Sequence, residues 1–213
     1  MPARSAYPGA EQFLPERRSL SALRAAAAGC QGCDLYRDAT QTVFGSGNAK
    51  AAVLLIGEQP GDVEDKEGKP FVGPAGRILH RGLTDAGLAD APTFVTNAVK
   101  HFHYRRAGNR RLHQTPRAGH ITACRPWLRA EAAALHPDVV VCLGGTAVKA
   151  VFGDEVKVMR DRGTLLDRDS AIGPAAFLVT VHPSAILRAP AEDRDAAYAA
   201  FVVDLKVAAA VVS

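Results

Sequence analysis

No stretch of this 213-residue sequence is apolar for long enough to cross a bilayer. Residues 1–18 contain Pro, Arg and Glu but no apolar signal core, so a cytoplasmic protein with no membrane partner is expected. Cysteine is scarce, with four in the chain. Without a secretory route these thiols read as metal ligands or core residues, not disulfides. There is no internal repeat and no composition of a collagenous, disordered or coiled-coil chain. What remains, 47% hydrophobic and 23% charged, suits one globular domain. The expected organisation is a polar tail over 1–18, a single domain over 19–213 and a monomer.

Acid is missing from one long stretch. Residues 91–130 hold eight of the 26 basic side chains and no Asp or Glu, which leaves 18 basic against 22 acidic groups elsewhere. A basic segment in a mildly acidic body suits an anionic partner, nucleic acid first. A solvated arginine loop would look the same.

The patterning alternates strands with helices. Residues 51–56 form a continuous apolar run closed by Gly57, 93–96 are short and β-prone, and 138–143 and 176–181 are further buried strands. Helices are expected over 21–29, 75–86, 117–136 with a kink at Pro126, 145–152 and 191–209. The basic stretch 97–116 reads as a loop. Such an order predicts an α/β fold with parallel strands. Gly57–Gly61, Asn97 and His182 all follow strands, at the edge where open α/β sheets bind ligands.

Five constellations could carry chemistry. Cys30-Gln31-Gly32-Cys33 is a moderate metal signal, with Cys124 and Cys142 downstream. Cys142 is the fourth cysteine by count but sits mid-strand, where it reads as a small buried hydrophobe, and His101 is a better-placed rival. Zinc and an iron–sulfur cluster are not separated by this spacing. Gly57-Glu58-Gln59-Pro60-Gly61-Asp62 lacks the Lys-Ser/Thr ending of a P-loop, but sets two carboxylates beside the sheet edge. Pro70-Phe71-Val72-Gly73 offers a rigid aromatic face to a planar base, although such a Phe is more often core. Asn97 has the donor and acceptor to read a pyrimidine edge, or to close an Asx turn. Arg110-Arg111-Leu112-His113 joins phosphate-binding groups to an imidazole, and Val181-His182-Pro183-Ser184 places another after the last strand.

In this order the pieces resemble the uracil-DNA glycosylase superfamily over about Cys30 to Arg188, particularly the iron–sulfur family 4 enzymes and their UdgX relatives. Val43-Phe44-Gly45, Gly57-Glu58-Gln59-Pro60-Gly61, Pro70-Phe71-Val72-Gly73-Pro74-Ala75-Gly76, Thr96-Asn97-Ala98-Val99-Lys100 and Val181-His182-Pro183-Ser184 carry the likeness. Gln59, where family 4 usually has glycine, and the Arg-Arg-Leu-His segment are closer to UdgX. Asn109 and Leu112 depart from the Lys and Ile of its Lys-Arg-Arg-Ile-His insertion.

The resemblance implies a three-layer sandwich around a mainly parallel four-stranded sheet. It implies a [4Fe–4S] cluster, in preference to zinc, on Cys30, Cys33, His101 and Cys124, with Cys142 outside. Uracil would stack on Phe71, with Asn97 and Gln59 reading its edges and Gly57 and Asp62 completing the base site. His182 would support the leaving uracil anion. Arg110, Arg111, Ser184 and Arg188 would hold single- or double-stranded uracil-containing DNA. On the UdgX reading His113 attacks C1′, with Glu58 taking or orienting its proton, and a covalent protein–DNA adduct remains. The alternatives are an ordinary turnover glycosylase, with water in place of His113, and a non-catalytic binding module for uracil or abasic DNA with a structural metal.

Overall fold

The computed structural model describes residues 7–213. In chain order the elements are α1 Leu20–Ala27, β1 Ser46–Gly47, β2 Val53–Gly57, α2 Asp62–Glu67, α3 Pro74–Asp85, β3 Thr93–Asn97, β4 Tyr104–Ala107, β5 Arg110–His113 and α4 Ala118–Leu135. There follow β6 Val139–Leu143, α5 Gly145–Phe152, α6 Val158–Asp161, β7 Leu165–Leu166, β8 Ala176–Thr180, α7 Pro183–Arg188 and α8 Arg194–Val212. Among the described residues no helix is long and apolar enough to cross a membrane.

The main sheet runs β1-β3-β2-β6-β8-β7. Its four central strands are parallel, as the apolar runs predict, and the two-residue strands β1 and β7 pair antiparallel at the edges. Side chains alternate across β2: Leu54 and Ile56 enter one core with Trp127 and Leu128 of α4, while Val53 and Leu55 enter the other with Leu79 of α3 and Phe201 of α8. Helices therefore cover both faces, which gives the expected three layers and explains why these strands carry no polar face.

Three readings change. The expected loop over 97–116 contains a hairpin, β4–β5, turned by Gly108-Asn109 with Gly108 at φ 58°. A positive φ at the first central residue alone is the two-residue turn that glycine favours there. The last helix begins at Arg194 after a short 3₁₀ turn, later than expected, while α4 carries Pro126 inside it over Ala118–Leu135 as expected. Part of the segment read as a tail lies against the domain. Gly9 N–H donates to Gly32 O, Ala10 N–H donates to Ala123 O, and Ala10 is buried. The crossing is close enough that a Cβ on Gly32 would lie 2.8 Å from Ala10 N, so the glycine between the paired cysteines makes room for the chain.

The functional edge follows from strand order. The chain passes from β2 to β3 on one side, then returns across β2 to β6 and continues outward to β8. The C-terminal ends of β2 and β6 thus flank the point where the winding reverses, the place where open α/β sheets form a crevice.

Candidate active site

At that crevice lies a cleft of about 760 Å³, lined by Glu58, Phe71, Asn97, His113, His182 and Arg188 among others. That volume suits a small planar ligand with part of its chain. Glu58 leaves the end of β2, Thr146 starts α5 after β6, and the two meet: Thr146 Oγ1 donates to Glu58 Oε2 at 2.8 Å. Glu58 Oε1 stands 3.2 Å from His113 Nε2 at the end of the hairpin. Burial alone would raise Glu58. The hydrogen bonds from His113 and Thr146, with the charges of His113 and His182, outweigh it and hold the carboxyl below its ordinary value.

His182 caps α7. Its Nδ1 accepts the Ser184 main-chain N–H at 3.1 Å, a group that can only donate. The neutral ring must therefore carry its proton on Nε2. Burial draws His182 down to about 4, with Arg188 and His113 adding to the fall and Glu58 opposing it. The cleft is thus supplied with a neutral N–H donor next to an ionised carboxylate.

Phe71 is a bulky residue at φ 56°, in the left-handed region that side chains avoid. Its ring stacks on His182 with centroids 5.9 Å apart. The floor is Gly57, where a Cβ would lie 2.5 Å from Asn97 Oδ1 and 2.6 Å from Phe71 Cζ. Only a bare backbone lets the amide and the ring approach from two sides. Asn97 is 2% exposed, and among the described residues its side-chain amide has no protein hydrogen bond, so donor and acceptor remain for a ligand.

The structure assembles Glu58, Gln59, Asp62, Phe71, Asn97, His113, His182, Ser184 and Arg188 around one cleft, and gives Gln59, Asp62 and Arg111 protein partners that the sequence did not reveal. Gln59 lines the cleft, but its amide is spent on the hairpin stem: Nε2 donates to His103 O and Gln114 O, both at 3.1 Å, and Oε1 accepts His103 N–H at 3.0 Å. Asp62 also lines the cleft, and its carboxylate, 38% exposed, holds Arg111 Nε at 2.5 Å and Lys66 Nζ at 2.6 Å. Arg111 turns inward, donating also to the fully buried Asp65 at 2.6 Å and lying over Phe102 and Tyr104. Register explains the difference from Arg110. In β4–β5 the pairs Tyr104–His113 and Arg106–Arg111 share one face, and Arg105–Leu112 and Ala107–Arg110 the other. Arg105 and Arg110 are exposed and have no ion pair among the described residues. Thr146 was missed because nothing local marks it; its partner is 88 residues away.

Cys30, Cys33 and Cys124 are buried, and the first two add to the rise of Cys124, which burial pushes up to about 12 against the lowering charge of Lys100. Trp127 Nε1 donates to Cys30 Sγ at 3.1 Å and Lys100 N–H to Cys124 Sγ at 3.3 Å, contacts that favour thiolates. These three sulfurs fit a thiolate-bound centre. His101 Nε2 meets Thr42 Oγ1 at 2.8 Å, which leaves Nδ1 as the ring nitrogen that could serve as the expected fourth ligand. Among the described residues no three His, Cys, Asp or Glu side chains stand close enough together to hold a single metal ion. Cys142 is fully buried in β6, a core residue.

Residues 44–206 match the uracil DNA glycosylase superfamily. The chain is 36% identical over 160 residues to a type-4 uracil-DNA glycosylase of Thermotoga maritima, covering 75% of this chain and 78% of that protein. A type-4 uracil-DNA glycosylase of Archaeoglobus fulgidus is 32% identical over 165 residues, covering 76% and 79%, and one of Pyrobaculum aerophilum is 34% identical over 166 residues, covering 76% and 81%.

Proposed function

This chain belongs to the uracil-DNA glycosylase superfamily, and from that premise we propose that it excises uracil from DNA and then traps the abasic site covalently on His113. The observation that carries the second half is the approach of His113 Nε2 to Glu58 Oε1, 3.2 Å, at the mouth of the cleft.

An extruded uracil lies along Phe71, with its polar edge on the open amide of Asn97. Extrusion costs a few kcal/mol and is least costly from a single strand. Cytosine puts an amine donor where uracil has a carbonyl, and leaves the Asn97 donor facing a donor. The C1′–N1 bond breaks with its electron pair leaving on uracil, and His182 Nε2–H donates to the developing anion. The sugar becomes an oxocarbenium ion, stabilised electrostatically by Glu58. A ring proton of His113 then passes to Glu58, a ring nitrogen closes on C1′, and the departed uracil takes a proton from solvent. Gln59 and Arg111 serve this step by fixing the hairpin, not by touching base or phosphate. Arg188 and the outward Arg105 and Arg110 supply the phosphate contacts.

A [4Fe–4S] cluster on Cys30, Cys33, Cys124 and His101 Nδ1 would join the first cysteine pair to α4 as a structural cross-link. No catalytic step depends on it.

The test is a denaturing gel of protein mixed with a single-uracil oligonucleotide, with a thymine strand as control. A uracil-dependent band at the summed mass, lost in His113→Ala, supports the proposal. Alkali-labile free DNA without that band would leave turnover glycosylase activity, and neither product would leave a reversible binding module.

A further inference from the structure

Lys100 and Glu131 are both fully buried, and no step above uses either. Lys100 Nζ directs three protons to three acceptors: Glu131 Oε2 at 2.6 Å, Thr96 Oγ1 at 2.6 Å and the main-chain O of Asn97 at 2.9 Å. Glu131 accepts in addition the Gly45 N–H at 3.0 Å and the Thr96 hydroxyl at 2.9 and 3.1 Å. The network closes on itself between β3, α4 and the segment before β1.

Stability does not explain such a pair. Taking two ions out of water costs several kcal/mol each, and apolar residues of similar volume commonly hold a core as well. What an apolar side chain cannot do is donate to the carbonyl of Asn97. That peptide lies where β3 ends and the chain turns over β2, with Ala98 N–H on Gly57 O and Val99 N–H on Glu58 O. Its orientation sets the Cα–Cβ direction of Asn97, whose amide has no side-chain partner of its own to aim it.

We infer that Lys100 and Glu131 are positioning residues for base discrimination: the buried pair fixes the peptide after Asn97 and so aims the Asn97 amide into the cleft. This rests on reading the cleft as a uracil site. Thr96 takes part by receiving one Lys100 proton and giving its own to Glu131.

The test uses the full chain with Lys100→Met/Glu131→Gln, which removes both charges but leaves acceptors for Gly45 and Thr96. Amide exchange over residues 93–100, read by mass spectrometry, should quicken at least tenfold in that segment while the rest of the sheet keeps its protection. Uracil excision should fall at least tenfold, the uracil-over-cytosine ratio should fall with it, and adding Asn97→Ala should cost less than a further twofold. A folded variant with unchanged exchange over 93–100, or with excision and discrimination within twofold of the parent, overturns the inference. So does a full additional loss on Asn97→Ala. If the double variant does not fold, Thr96→Val decides: a threefold or greater loss of discrimination is expected, and none overturns it. The exchange measurement needs no substrate, so it still decides the positioning claim if the parent releases no uracil.

Discussion

Thr146 and Glu58 join the ends of two neighbouring parallel strands through one hydrogen bond of 2.8 Å, directly across the point where the winding of the sheet reverses. That bond leaves Oε1 of the carboxylate for His113 and helps hold Glu58 ionised against its own burial.

Replacing Thr146 by Val should therefore raise the pKa of Glu58 and slow adduct formation about tenfold, the equivalent of about 1.4 kcal/mol. Thr146→Ser keeps the donor and should stay near the parent. The pH–rate profile of adduct formation checks this, since the acid limb should move to higher pH in the Val variant alone.

The arginines of the hairpin should separate into two classes. Arg105→Ala or Arg110→Ala should each lower the salt slope of single-strand binding by about 0.7, the loss of one phosphate contact. Arg111→Ala should leave the slope unchanged but cost ~3 kcal/mol of stability, because it strands the buried Asp65. Anisotropy titrations across salt, with urea melts of the same proteins, measure both. A reduced slope in Arg111→Ala would return that residue to the DNA surface.

Gly57→Ala should abolish measurable uracil excision by pushing Asn97 and Phe71 apart. A circular dichroism spectrum like that of the parent would place the loss in the cleft. Normal excision would mean that neither side chain needs its present position.

Uracil release under single-turnover conditions should hold level from pH 8 to about 5 and fall as pH nears 4, the value to which burial takes His182. The groups facing that ring are Glu58, Arg188 and His113, and of these only Glu58 opposes the fall. Because the folded value lies below that of free imidazole, His182 contributes stability that is complete above about pH 6.5 and is lost as pH drops towards 4. An activity limb centred near 6.5 would show that the ring titrates as if exposed.

The sheet was readable because buried parallel strands are nearly unbroken apolar runs, as in Val53–Ile56 and Val139–Leu143. Glu58, Asn97 and His182 were readable as motifs placed at the ends of those strands. What sequence concealed was the use of each side chain. Gln59 looks like a base reader until His103 and Gln114 are found on its amide. Arg110 and Arg111 look alike until strand register turns one outward and one inward. The hairpin itself was hidden because Arg105–Arg106 and Arg110–Arg111 lack the apolar alternation of a strand, and Gly108-Asn109 was the remaining local sign of a turn. His101 was assigned by position, and its hydroxyl partner Thr42 lies 59 residues earlier.

A two-stranded ribbon is marginal by itself, and this one pairs with no strand of the main sheet. It is held by Gln59 at its stem and by Arg111 along its inner face, and at its base Gln114 N–H already reaches His103 O at 2.9 Å. Splicing residue 103 to residue 114 would cut no bond of the central sheet. The arm that carries His113 is thus an addition at the rim of the cleft, whose other lining residues Phe71, Asn97 and His182 all come from the main fold; on the proposed reading, capture of the abasic site would be a property added to a base site built without it.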